Sequence, residues 1–318
     1  MQTSNVLPKV RNSAKETIYP LNVKTSVIGL ELSDTDRPLL EYFHFFNQFM
    51  KSDEIYCVHT EQLLNPLFPL QAFYPPSAVG LDRPTHQKIL EKMQAEVKST
   101  LPADEAEKVK CLVESGPPLE MLAQLVSETQ AGLVMIGKRS SSDFHVIKGM
   151  NAVRMVEANV MVVPENAVRE IQTILVPVDF SEHSVKALKT ALAFKHAALH
   201  PVRLVALHMF HPMPVTAFGF GGNVAPMSNE DLEEKYDESF QRFLNEEVPD
   251  FKDDVEMHLT TYAYTHAAPA LLKKASEIDA DLIVIGAKGH SRLAAFFLGS
   301  TTEALLRKND DFPVLVIK

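Results

Sequence analysis

Gly286, Gly289, Gly299 and Ser300 stand in a G-x2-G-x9-G-S spacing, and the apolar run Asp281-Leu282-Ile283-Val284-Ile285 leads straight into the first of them. Glycine lets a backbone approach a bound group closely and turn where other residues clash. The open N–H groups of a helix N-terminus favour negative charge. A strand that ends at Ile285 in such glycines and then starts a helix is therefore suited to holding phosphate. The donors would be the backbone N–H groups of Gly289, His290, Ser291, Ser300 and Thr301, with the Ser300 hydroxyl beside them. Lys288, His290 and Arg292 add cations near the same turn. The alternative is that Gly286 merely ends a strand and Ser300 merely caps a helix over Thr301–Lys308.

A second candidate is Asp179, at the end of Ile174-Leu175-Val176-Pro177-Val178. Ligands of α/β folds collect at the carboxyl ends of parallel strands, so Asp179 either touches a ligand there or caps the helix that follows. A third is the pair His208 and His211, whose H-x2-H spacing could serve a metal. With no third ligand in sequence range, no metal is expected. A Walker A loop, a Gly-x-Ser-x-Gly elbow and a metalloprotease helix are all missing from the sequence, and no residue is assigned a catalytic role.

These residues need elements to position them, and the chain supplies the same set twice. Val23–Glu31 and Ile171–Asp179 both read as an opening strand. Tyr56-Cys57-Val58-His59 and Val205-Ala206-Leu207-His208 both end a second strand in histidine. Gly132–Gly137 and Asp281–Gly286 form another pair, and Val160–Val163 and Val314–Ile317 close each half. An offset near 149 maintained through so many elements is a duplication. Short, nearly continuous apolar strands alternate with helical segments, which predicts parallel strands buried on both faces with helices as crossovers. After Asp179, Ser181 suits the N-cap position, and Val185, Leu188, Leu192 and Leu199 fall on one helical face. Pro164–Ala167 reads as a short linker. The expected division is an extension over 1–20, one domain over 21–165 and another over 170–318.

With 318 residues, two domains of this size can each bury a core. A net charge of −10 argues against a nucleic-acid or anionic membrane partner. Cys57 and Cys111 show no metal or redox spacing. No apolar run reaches membrane length and no signal peptide is apparent, so a cytoplasmic protein is expected.

The glycine signature and the strand that ends in Asp179 resemble the ATP-binding branch of the universal stress protein family, closely over about 170–318 and more loosely over 21–165. The resemblance implies two tandem doubly wound domains, each a mostly parallel five-stranded sheet with helices on both faces, of the adenine nucleotide alpha-hydrolase-like kind. It implies ATP as the ligand, with Mg2+ able to accompany it. Asp179 and Pro177 would lie beside the adenosine portion and the backbone of Met209 against adenine. Such proteins commonly dimerise through their last strands, so Val160–Val163 and Val314–Ile317 are expected at a contact between the halves, as an intramolecular pair, with a further homodimer and a protein partner left open.

The first half departs from the signature. Glu31 and Gly29 stand for the aspartate and proline, Ser140 follows Lys138 and Arg139 in place of the second glycine, and Met150-Asn151 replaces Gly-Ser, with Gly149 displaced by one. That half is expected not to bind ATP. Leu63–Arg83 and His211–Asn229 are rich in Pro, Gly and aromatics. The second, with Phe218-Gly219-Phe220-Gly221-Gly222, follows no strand directly and lacks dinucleotide spacing, so it reads as a flap near the nucleotide edge rather than a glycine-rich cradle. The implied function is a stress or signalling module that binds ATP with little or no hydrolysis; the alternatives are a slow ATPase or related nucleotide enzyme, or a scaffold without nucleotide.

Overall fold

A computed structural model of the chain describes residues 23–61, 83–139, 150–210, 229–262, 267–289 and 298–318. The stretch 63–83 and the expected flap 211–229 lie outside these residues, except that Arg83 and Asn229 begin helices. Two compact units emerge.

One unit contains the described residues from Val23 to Glu170, together with Asp310–Val316 and Lys318. Its chain order is β1 (Thr25–Gly29), α1 (Asp36–Met50), β2 (Glu54–Glu61), α2 (Arg83–Thr100), α3 (Ala103–Ala106), β3 (Val109–Ser115), α4 (Pro118–Thr129) and β4 (Leu133–Lys138). A helical stretch at 150–155 (α5) and β5 (Asn159–Pro164) follow. The sheet runs β3-β2-β1-β4-β5 with every neighbouring pair parallel. Helix α1 shows why the chain packs as it does: Leu39, Leu40, Phe43, Phe46 and Met50 recur at helical spacing, and all are buried.

The other unit is Ile171–Asn309 with Ile317. It contains β6 (Thr173–Val178), α6 (Glu182–Ala197), β7 (Arg203–Phe210), α7 (Asn229–Glu247), β8 (Glu256–Thr261), α8 (Ala268–Glu277), β9 (Leu282–Gly286) and α9 (Ser300–Lys308). Its order is β9-β6-β7-β8, again parallel. All of β6 and β9 is buried, as parallel strands covered on both faces require.

The doubly wound α/β class is as expected. The last strand, β10 (Val314–Ile317), pairs antiparallel with β5, in the register Val314↔Val162, Leu315↔Met161, Val316↔Val160. The two closing strands are therefore hydrogen-bonded neighbours. Apolar Val314, Leu315 and Val316 gain from covering the apolar edge of β5, an edge that would otherwise offer unpaired backbone groups.

Ser181 caps α6 as its type suggests, its hydroxyl oxygen accepting the Ser184 N–H at 3.3 Å. Ser181→Ala is expected to lower stability by about 1 kcal/mol, read as a fall in the denaturation midpoint. Leu188 and Leu192 are buried, but Leu199 is fully exposed, contrary to its expected place on the buried face. The helix ends at Ala197, and Ala198 is extended at ψ 142°, so the chain turns toward Pro201 and leaves Leu199 in solvent. Among the described residues no helix is long and apolar enough to cross a membrane.

Candidate functional site

In the order β9-β6-β7-β8 the connections leave β6 and β9 in opposite directions. Loops that part in this way open a crevice at the carboxyl ends of the strands. The ladder makes it deeper here. Pairing of β6 with β7 continues to Val178↔His208, whereas pairing with β9 stops at Leu175↔Ile283. Pro177 lies just beyond that stop and has no N–H with which to continue it. A cleft of about 350 Å³ opens at this point.

Pro177, Asp179, Met209, Ile285, Gly286, Gly289, Gly299, Ser300 and Thr301 all line the cleft. His290, Ser291, Arg292 and His211 lie outside the described residues. Val178, Ser184, Tyr262, Ala267 and Thr302 also line it, and no motif marks them. Thr302 is readable only as the second residue after Ser300 on a helix; Tyr262 and Ala267 carry no signature. Lys288 is the described cation of the lining.

Each signature glycine has a distinct physical reason. A Cβ on Gly286 would come within 2.7 Å of His183 Cβ and 2.9 Å of the His183 carbonyl oxygen, so this glycine lets β9 press against the start of α6. A Cβ on Gly289 would stand 2.5 Å from Asp179 Oδ2. Gly299 folds back over the loop: its N–H donates to the Ala287 carbonyl at 2.8 Å, and its own Cβ position is 3.5 Å from Gly289 N. The Ala287 N–H in turn donates to the Ile317 carbonyl at 2.8 Å.

Gly299 is the N-cap of α9 and has no side-chain cap. Ser300 is the first helical residue, which corrects the alternative that it caps a helix starting at Thr301. Thr302 Oγ1 donates to the Gly286 carbonyl at 2.8 Å and ties the helix start to the strand end. The first-turn N–H groups of α9 have no intrahelical acceptors, and with Ser300 and Thr301 in the lining they offer donors and a positive dipole end to an anion.

Asp179 is not the cap of α6, since Ser181 takes that role. Its Oδ1 instead accepts the Ser181 hydroxyl at 2.5 Å and the Ser181 N–H at 3.1 Å. That leaves Oδ2 directed over Gly289. Strand end, Gly289 and helix start thus border one cleft, with the Asp179 carboxylate over Gly289.

The glycines also differ in what they tolerate. Gly286→Ala is expected to cost roughly 2–3 kcal/mol, because the new methyl meets backbone atoms that have no room to yield. The matching change Gly137→Ala should cost less than about 0.5 kcal/mol, since its nearest neighbours stand at 3.8 Å. Chemical denaturation of the two variants measures both.

The corresponding place in the first unit is built differently. With Gly29 in place of proline, the β1–β4 ladder continues to Gly29↔Ile136, so the strands stay zipped where β6 and β9 part. The turn after β1 closes on the chain's own carboxylate: Asp36 accepts the N–H of Glu31 at 2.9 Å and of Leu32 at 2.7 Å. Burial raises the Asp36 pKa against those hydrogen bonds. Lys138, nearly enclosed, pairs with Asp310 at 2.9 Å. Met150 is buried. Ser140 and Gly149 lie outside the described residues.

Residues 170–318 match the Universal stress protein family. Universal stress protein MJ0577 of Methanocaldococcus jannaschii is 29% identical over 156 residues, which cover 46% of this chain and 93% of that protein. Stress response protein NhaX of Bacillus subtilis is 29% identical over 168 residues, covering 46% and 96%. A universal stress protein from Archaeoglobus fulgidus has the same fold over 92% of this chain and 96% of its own, with a TM-score of 0.60 at 18% identity. Protein PA1789 of Pseudomonas aeruginosa, of unknown function, gives 0.63 at 15% identity over 93% and 92%. At these identities the two structures speak for the fold, and they do so across both halves.

Proposed function

We propose that residues 170–318, which match the Universal stress protein family, form a universal stress protein domain that binds ATP in the cleft between β6 and β9 and acts as a stress-response module through binding rather than turnover. Residues 21–165 are on this reading a degenerate copy of the same domain. One observation carries it: Asp179, the glycine loop after β9 and the first turn of α9 converge on a single cleft. The fit to a triphosphate is local. Glycines 289 and 299 keep the loop backbone bare of side chains, and the first turn of α9 supplies N–H donors where a phosphate would lie. Lys288 adds charge beside them. Pro177, Met209 and Ile285 give the apolar wall that a base needs, and Asp179 is placed for ribose or base hydroxyl and amine groups.

The chemistry of the lining favours holding over cutting. Asp179 is the one carboxylate among the described lining residues, and it is engaged by Ser181. A general base for hydrolysis needs a carboxylate or imidazole that can reach an attacking water. Mg2+ bound with the nucleotide would contribute charge neutralisation at the phosphates. The slow-ATPase alternative is tested by steady-state phosphate release from the wild type and from Asp179→Asn. The reading itself is tested by mass spectrometry of nucleotide extracted from the purified chain: adenine nucleotide in near-equimolar amount supports it, and none after incubation with ATP opposes it.

A further inference from the structure

His208 lies next to the lining residue Met209 in the chain without itself lining the cleft. Its Nδ1–H donates to the Val178 carbonyl at 2.8 Å, which leaves only a lone pair on Nε2. That buried atom meets no hydrogen-bond partner among the described residues. His208 is 7% exposed, and its ring is enclosed by Phe180, Tyr236 and Phe240, with centroids at 4.4, 4.9 and 6.3 Å. Phe180 takes a left-handed φ of 62°, costly for an aromatic residue and sustained only where packing holds it. The residues on either side of this assembly, Asp179 after Val178 and Met209 after His208, both line the cleft.

The first unit contains the same device with one change. His59 Nδ1–H donates to the Leu30 carbonyl at 2.9 Å, but His59 Nε2 stands 3.1 Å from the Glu61 carboxylate. A second proton there finds an acceptor. Two positions after His208 the chain instead has Phe210, stacked on Tyr236 at 4.6 Å. A second proton on His208 would meet aromatic rings.

We infer that His208 is a proton-sensitive positioning residue of the nucleotide cleft. Neutral, its ring sits among Phe180, Tyr236 and Phe240 and holds the Phe180 turn so that Asp179 and Met209 line the cleft; protonated, its Nε2–H finds no acceptor among the described residues, the ring leaves that enclosure, and the turn and the nucleotide are released with it. This rests on the nucleotide reading above. The groups facing His208 bear on the sign. From the end of β6 comes the charge of Asp179, which favours the proton. The turn presents Phe180, α7 presents the Tyr236 phenol ring and Phe240, and β8 presents its register partner Leu259. Burial is the largest influence and holds the His208 pKa below the ordinary histidine value, opposed by the Val178 hydrogen bond and Asp179. The folded chain therefore takes up this proton less readily than the unfolded chain. Stability is complete above the unfolded value of about 6.5 and is lost as pH falls from there through the lower folded value. A ligand that binds only the neutral form should weaken about tenfold per pH unit below that point.

The test is calorimetric ATP affinity of the full chain at pH 7.5, 6.5 and 5.5 for wild type, His208→Gln and His59→Gln. Glutamine can donate to the Val178 carbonyl but does not titrate. Protonation of ATP itself affects all three chains alike. Wild type and His59→Gln are expected to lose more affinity between pH 7.5 and 5.5 than His208→Gln, by a factor that stays under about tenfold because the folded His208 pKa lies below the ordinary value of about 6.5. The same loss in all three overturns the inference. Failure of wild type to bind ATP at pH 7.5 instead sinks the nucleotide reading, and the inference then stands or falls on melting temperature against pH without nucleotide, where parallel curves for wild type and His208→Gln overturn it. Should His208→Gln not fold, the imidazole of His208 is titrated by NMR in the wild type; an ordinary pKa unaffected by ATP overturns it equally.

Discussion

Gly289→Val is expected to lower ATP affinity at least a hundredfold while the melting temperature moves by only a few degrees. The reason lies in one contact. A Cβ at position 289 would stand 2.5 Å from Asp179 Oδ2, closer than any carbon and oxygen tolerate. The carboxylate must rotate away, giving up the Ser181 hydroxyl and N–H that hold Oδ1. The two valine methyls then occupy the space between the strand ends. A hundredfold loss corresponds to about 2.7 kcal/mol, the range expected when a positioned charge-assisted contact is removed. The spacing reads Gly289 as a residue that lets the backbone approach a bound group; the structure puts the first collision of a side chain there on the acidic residue instead. Calorimetry beside a thermal melt separates loss of the site from loss of the fold. Undiminished binding by Gly289→Val would mean that Asp179 and the glycine loop do not act together.

ATP should also stabilise the chain more than the chain consumes it. A ligand that binds only the native state adds RT ln(1 + [L]/Kd), about 2.7 kcal/mol at a hundredfold excess over Kd. For a domain of this size each kcal/mol is worth roughly 2–4 °C, so the transition that reports the second domain should rise by about 5–10 °C. Phosphate release under the same conditions should stay below roughly one per second. No shift with ATP would oppose binding; a shift accompanied by faster turnover would favour the enzyme alternative.

What the sequence made legible was the set of features fixed by local chemistry. Duplicated apolar strands announced a parallel sheet buried on both faces. The Ser181 cap followed from residue type, and the spacing of Gly286, Gly289 and Gly299 gathered residues that the structure brings to one cleft. What it hid depends on pairing and packing. Pro177 read as a family mark, while its physical effect, the early end of the β6–β9 ladder, needs the register. The capture of the turn after β1 by Asp36 depends on a helix start five residues away from Glu31. Tyr262 and Ala267 reach the cleft through the fold, not through a motif. The exposure of Leu199 shows periodicity outrunning the helix that it describes.

The contrast between the two units also turns on register. Gly29 stays zipped to Ile136 and Asp36 fills the turn amides, whereas the second unit parts its strands beyond Leu175 beside the cleft that the start of α9 lines. Stoichiometry reads that contrast most directly. Titration of ATP into the full chain at pH 7.5 should saturate at one nucleotide per chain, and Gly289→Val should remove it. Two equivalent sites per chain, or none, would contradict the account.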